Sequence, residues 1–207
     1  MRDRWPAKVA ATPVILRRMR TLTICTVLVT AVAGLAMAQD KQAKMPPRPG
    51  LTLTTTAFSD GGEIPARFTQ SDPNAVSPKL EWTNVPPGTV SFALILHDPD
   101  VALQRKTDDV LHWMIFNIPG SAHELPEGVP PNATFPDGAV QAKNLRGGVG
   151  YMGPGAPAVG PHHHYTFELF ALDTKLNLGP DATRAEVLQA MEGHILGKGV
   201  LEGRFHR

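Results

Sequence analysis

Cysteine is almost missing from this chain: Cys25 is the only one in 207 residues, so no intrachain disulfide can staple the fold. Stability has to come from a packed core instead. Long apolar runs are missing too. The longest, Leu22 to Leu35, is shorter than the roughly 20 residues a membrane-spanning helix needs, and polar Gln39-Asp40-Lys41-Gln42 follows it without a stop-transfer flank. A basic surplus is absent from the bulk of the chain. The formal +1 arises in the first 38 residues; from Gln39 onward fourteen Lys and Arg face eighteen Asp and Glu, a net of −4. A duplex nucleic-acid partner therefore has no electrostatic footprint here. The sequence also has no Gly-x-Ser-x-Gly elbow, no His-Glu-x-x-His pair and no internal repeat.

The amino-terminal pattern is that of an export signal. Arg17, Arg18 and Arg20 precede the apolar run, and Ala36-Met37-Ala38 offers signal peptidase the small residues it needs. Residues 1–38 are expected to be a signal peptide cleaved after Ala38, with the mature protein periplasmic or secreted. Translation from Met19 would give a signal of ordinary size. Arg17-Arg18 lacks the Ser before it and the Phe-Leu after it that a twin-arginine signal carries, so general secretion is the simpler route. Cys25 lies inside the apolar run rather than at its end, which argues against a lipid anchor. Residues 39–50 read as a flexible lead rich in Pro and Lys, and residues 51–207 as a single domain large enough for one core.

Within that domain, abundant Pro and Gly favour turns between short strands. Leu51 to Thr56 alternates and reads as a first strand. Ser91 to His97, Trp113 to Phe116 and Thr166 to Leu172 are apolar on both faces, as in a sheet covered on each side. The one strong helix signal is the capping box Thr183-Arg184-Ala185-Glu186, which predicts a helix from Ala185 to Ile195 with Gly197 available to stop it. Gly203-Arg204-Phe205 reads as a last strand.

Two polar stretches adjoin these strands: Asp98-Pro99-Asp100 running to His112-Trp113, and Gly153-Pro154 running to His163-His164-Tyr165. Together they read as two halves of one pocket. The imidazoles of His112 and His163 are expected to donate to an anion such as phosphate. Asp98 would accept, either from an imidazole or from a ligand proton. Backbone N–H groups near Gly153 and Gly155 would add donors, and Tyr165 would close one wall. His97 adjoins Asp98, but on a strand its side chain points the other way.

These stretches, with Ser77-Pro78-Lys79-Leu80-Glu81-Trp82, Val85-Pro86-Pro87-Gly88-Thr89, Asn117-Ile118-Pro119 and Tyr165-Thr166-Phe167-Glu168, resemble the phosphatidylethanolamine-binding protein (PEBP) family in order and spacing. The bacterial Raf kinase inhibitor-like branch is the nearest in kind. The resemblance implies a mainly β fold: a large antiparallel sheet packed with a smaller one, and one C-terminal helix. It also implies a ligand pocket at Asp98, His112, Gly153, Pro154, His163 and Tyr165, with Asp100 supporting the loop and Trp113 packing beneath. The chain departs from the family pattern in having Val101-Ala102 after Asp100, Ala156-Pro157 where paired prolines are usual, and His164 where Arg often precedes the Tyr.

The leading functional expectation is a binding protein for phosphate or a phospholipid head group, with no catalytic residues, no cofactor and no metal. A protein partner, such as a protease or other enzyme, is implied by the resemblance. The alternative is a metal-dependent hydrolase in which Asp98, His112 and one of His162, His163 or His164 hold the ion. A third reading is a surface interaction protein with a vestigial pocket.

Overall fold

The computed structural model describes residues 50–101 and 109–207. The expected signal segment, and all of the expected lead except Gly50, lie outside the described residues. Among the described residues nine strands appear in chain order: β1 (Thr52–Thr54), β2 (Gly62–Glu63), β3 (Leu80–Thr83), β4 (Ser91–Asp98), β5 (Val110–Pro119), β6 (Glu124–Leu125), β7 (Val140–Gln141), β8 (His163–Leu172) and β9 (Ile195–Phe205). One helix, α1 (Arg184–Met191), precedes β9. The fold is mainly β, as expected. A three-stranded sheet in the order β1-β3-β6 packs with a six-stranded sheet in the order β2-β9-β8-β4-β5-β7, antiparallel except where β2 joins β9. Among the described residues no helix is long and apolar enough to cross a membrane.

The large sheet is buried on both faces because its central strands carry apolar residues at consecutive positions, as in Phe92 to Leu96 and Trp113 to Phe116. Phe92, Leu94 and Leu96 of β4 point toward the small sheet, with Trp113, Ile115 and Phe167. Ala93 and Ile95 point the other way, onto Met114, Phe116 and the α1 residues Val187 and Met191. Strict alternation sends Asp98 to the small-sheet side and His97 to the helix side, where His97 Nδ1 lies 2.5 Å from Asp109.

Two boundaries differ from expectation. The first strand is shorter, Thr52–Thr54. The helix begins at the Thr183 capping box but ends at Met191, with Gly193 at φ 81° just beyond it. Ile195, expected to end the helix, instead opens β9, which pairs with β8 along its whole length. Its glycines hide all of this strand but the expected Gly203-Arg204-Phe205 from the sequence pattern, yet tight packing requires them. A Cβ on Gly199 would lie 2.9 Å from the Leu51 carbonyl oxygen, and one on Gly203 2.5 Å from Ile64.

Candidate functional site

A break in strand register builds the site. Leu96 pairs with Trp113 and the next residue, His97, pairs with Leu111, so His112 is an extra residue without a partner on β4. In an unbroken strand His112 would share the helix face with Met114. The bulge turns it instead to the side that holds Trp113 and Asp98. There it lines a cavity of about 420 Å³ together with Asp98, Asp100, His163 and Tyr165.

Each polar group has a defined partner. Asp98 is 2% exposed. Its Oδ1 accepts from the Asp100 amide at 2.9 Å, and its Oδ2 lies 2.9 Å from His163 Nδ1. Asp100 Oδ2 accepts from the His164 amide at 2.6 Å and faces His164 Nδ1 at 2.8 Å. Burial pushes the Asp100 carboxyl up, but the His164 hydrogen bonds outweigh it and hold the group below its ordinary value. The ends of β4 and β8 are thus cross-tied by two carboxylate–imidazole pairs. Tyr165 is fully buried, meets the His112 ring edge-on at 5.2 Å, and accepts from the Gly155 amide at 3.2 Å. Burial, reinforced by the Asp98 charge, drives its hydroxyl pKa up.

Gly153 and Pro154 are not in the cavity wall; they shape it from behind. Their carbonyl oxygens accept from the Gln70 side chain and the Gln70 amide, both at 2.8 Å. A Cβ on Gly153 would lie 2.8 Å from the Phe68 carbonyl oxygen, so this glycine serves close backbone packing and not ligand approach. Trp113 is fully buried and donates to Gln141 at 2.6 Å, in the core beneath the site. Two cavity residues had no signal in the motifs. Arg146 is exposed at the cavity and donates to Gln70 Oε1 at 2.7 Å. Gln70 itself comes from a segment far upstream, and nothing in its neighbourhood marks it.

The metal-hydrolase reading finds no support. Among the described residues no three His, Cys, Asp or Glu side chains are grouped to hold an ion. The histidine run splits: His163 lines the cavity, His164 turns to Asp100, and His162 packs edge-on against His206 at 4.1 Å.

The sequence model described as phosphatidylethanolamine-binding protein matches residues 54–206, a span that holds every cavity residue named above. The chain belongs to this family. A UPF0098 protein of Methanothermobacter thermautotrophicus is 46% identical over 157 residues, covering 76% of this chain and 99% of that one. Among solved structures, the PEBP homologue CT736 of Chlamydia trachomatis is 32% identical with a TM-score of 0.66, covering 76% of this chain and 98% of its own. YbcL of Escherichia coli, described as a member of the mammalian PEBP family, is 28% identical with a TM-score of 0.69, covering 77% and 99%.

Proposed function

We propose that this PEBP-family chain is an exported binding protein whose cavity takes a phosphate-type oxyanion, free or as a phospholipid head group. The observation that carries the reading is one cavity shared by the Arg146 guanidinium, the His112 and His163 rings and the buried Asp98 carboxylate. A guanidinium is the side chain best matched to a tetrahedral oxyanion, and charge-assisted bonds to it are short and strong. The volume falls within the roughly 300–1,000 Å³ range of small-ligand pockets. No chemical step is assigned to the site: the protein binds and does not turn over. Engagement of a protein partner, a protease or another enzyme, at the cavity rim is a further part of the proposal.

The test is an NMR titration of untagged, EDTA-treated protein, following the imidazole nitrogens while phosphate and then phosphoethanolamine are added. Saturable shifts at His112 and His163 are expected. Silence at both, or a response to zinc alone, would overturn the anion reading. Replacing Arg146 with methionine is expected to weaken phosphate binding about tenfold by calorimetry, while thermal stability stays unchanged because the side chain is exposed. Export is tested separately. Protein recovered from a secreting bacterium is expected to begin at Gln39; recovery with the Leu22 to Leu35 run still attached would sink that part.

A further inference from the structure

The fold fixes which nitrogen of His112 carries the proton. Nδ1 lies 2.8 Å from the Met152 carbonyl oxygen, and a carbonyl can only accept, so Nδ1 is the protonated atom. The Met152 amide donates back to the His112 carbonyl at 3.0 Å, locking the two residues together. In the neutral ring, Nε2 is then a bare lone pair on the side of the cavity. Burial lowers the His112 pKa, opposed by the Met152 and Gly153 carbonyls and the Asp98 charge, and Arg146 lowers it further. Near neutral pH this imidazole accepts a hydrogen bond instead of donating one.

The opposite wall has the same polarity. Asp98 takes up the Asp100 amide and the His163 ring, and its remaining lone pairs only accept. The Gly155 amide is committed to the Tyr165 hydroxyl. Arg146 is thus the cationic donor at the cavity, Asp98 and His112 Nε2 offer acceptors there, and the Tyr165 hydroxyl proton is directed to Asp98. An oxyanion with only bare oxygens would satisfy Arg146 and then set its lone pairs against Asp98 and His112 Nε2. A ligand bringing its own O–H or N–H relieves that clash.

We propose that the cavity selects oxyanions that carry a hydrogen-bond donor of their own, such as phosphate or a phosphate ester with an O–H or N–H, and rejects those without one. The inference rests on the anion reading above and adds a specificity to it. Discrimination of this kind arises from a penalty against the wrong ligand as much as from attraction to the right one.

Calorimetry on the full protein tests it at about pH 6, near the second pKa of a phosphate monoester. The probes are phosphate, methyl phosphate, sulfate, dimethyl phosphate and glycerophosphoethanolamine. Sulfate matches phosphate in shape without a proton, and dimethyl phosphate controls for single charge. Phosphate and methyl phosphate are expected to bind at least about tenfold tighter than both controls, since an unpaired buried acceptor carries a penalty of that order. Glycerophosphoethanolamine, a diester that brings N–H donors, separates the sources: binding like methyl phosphate assigns a lipid head group, and binding like dimethyl phosphate overturns the N–H part of the proposal and confines it to free phosphate or a monoester whose O–H is on the phosphorus. Sulfate within about twofold of phosphate overturns the selectivity while leaving the anion site standing; no binding by any probe overturns both. In His112→Gln, whose amide can turn N–H toward the ligand, the preference is expected to shrink to about threefold or less. That variant alters a buried position, so a second measurement uses the native protein. Its nitrogen-15 spectrum near neutral pH should show His112 protonated at Nδ1 and bare at Nε2; a proton on Nε2 overturns the proposal.

Discussion

Replacing Asp98 with alanine is expected to weaken phosphate binding at least about a hundredfold and to lower the unfolding free energy by about 2–4 kcal/mol. Asp98 ends β4 in the interior, 2% exposed, where it accepts from the Asp100 amide and the His163 ring, both at 2.9 Å. Alanine leaves both of those groups without an acceptor and frees His163 to rotate. The cross-tie between the ends of β4 and β8 is then reduced to the more exposed Asp100–His164 pair. Asp98→Asn keeps one acceptor oxygen in place and is expected to lose about half as much stability while still impairing binding. Urea denaturation and calorimetry on the two variants measure both quantities. A fully stable alanine variant with unchanged phosphate affinity would mean that Asp98 neither positions His163 nor shapes the cavity.

Acid is expected to destabilise the protein by about 2–3 kcal/mol through a single carboxylate on the other face of the sheet, Glu168. The His97 ring, 3.6 Å from Oε2, and the Lys198 ammonium at Oε1 hold its pKa down against burial, to about 2 from an ordinary 4.5. At 3.6 Å the His97 contact is beyond hydrogen-bond reach and acts through charge, which favours the lower part of that energy range. The sign follows from proton binding. Between the two pKa values the unfolded chain holds more protons than the folded one, so this stabilisation is complete above about pH 5 and is lost as pH falls toward 2. The Glu168 side chain is only 15% exposed, so screening by solvent is limited. Urea midpoints across the acid range should show the decline in the native protein and a flatter profile in Glu168→Gln. Identical profiles for the two proteins would sink the assignment.

These expectations rest unevenly on what the chain displays in one dimension. Phe92 to Leu96 and Thr166 to Leu172 announced a sheet buried on both faces, because apolar side chains at consecutive positions of a strand must each find a covered side. Thr183 and Glu186 marked the start of the helix, since a capping box is a local contact. Its end was misjudged. The apolar Ile195 and Leu196 fit a helix pattern as well as a strand, and Gly197 and Gly199 look like turn residues until Pro86 and Leu51 are seen crowding them. Asp98, His112, His163 and Tyr165 were legible as a set and do line one cavity. Gly153 and Pro154 belong to the same motif but stand behind the wall, since a glycine looks the same in a sequence whether a ligand or a neighbouring backbone requires it.

The sequence by itself determined the family, the mainly β architecture and, Gln70 and Arg146 excepted, the polar groups near the cavity, because these follow from local alternation, turn chemistry and motif order. Only the tertiary structure decided how those groups face one another. The bulge that turns His112 from the helix face to the cavity depends on the pairing of β4 with β5, and the proton on its Nδ1 depends on a carbonyl forty residues away. Gln70 and Arg146 meet through a hydrogen bond spanning 76 residues. Contacts of that range arise from packing between segments, and no periodicity within one segment carries them.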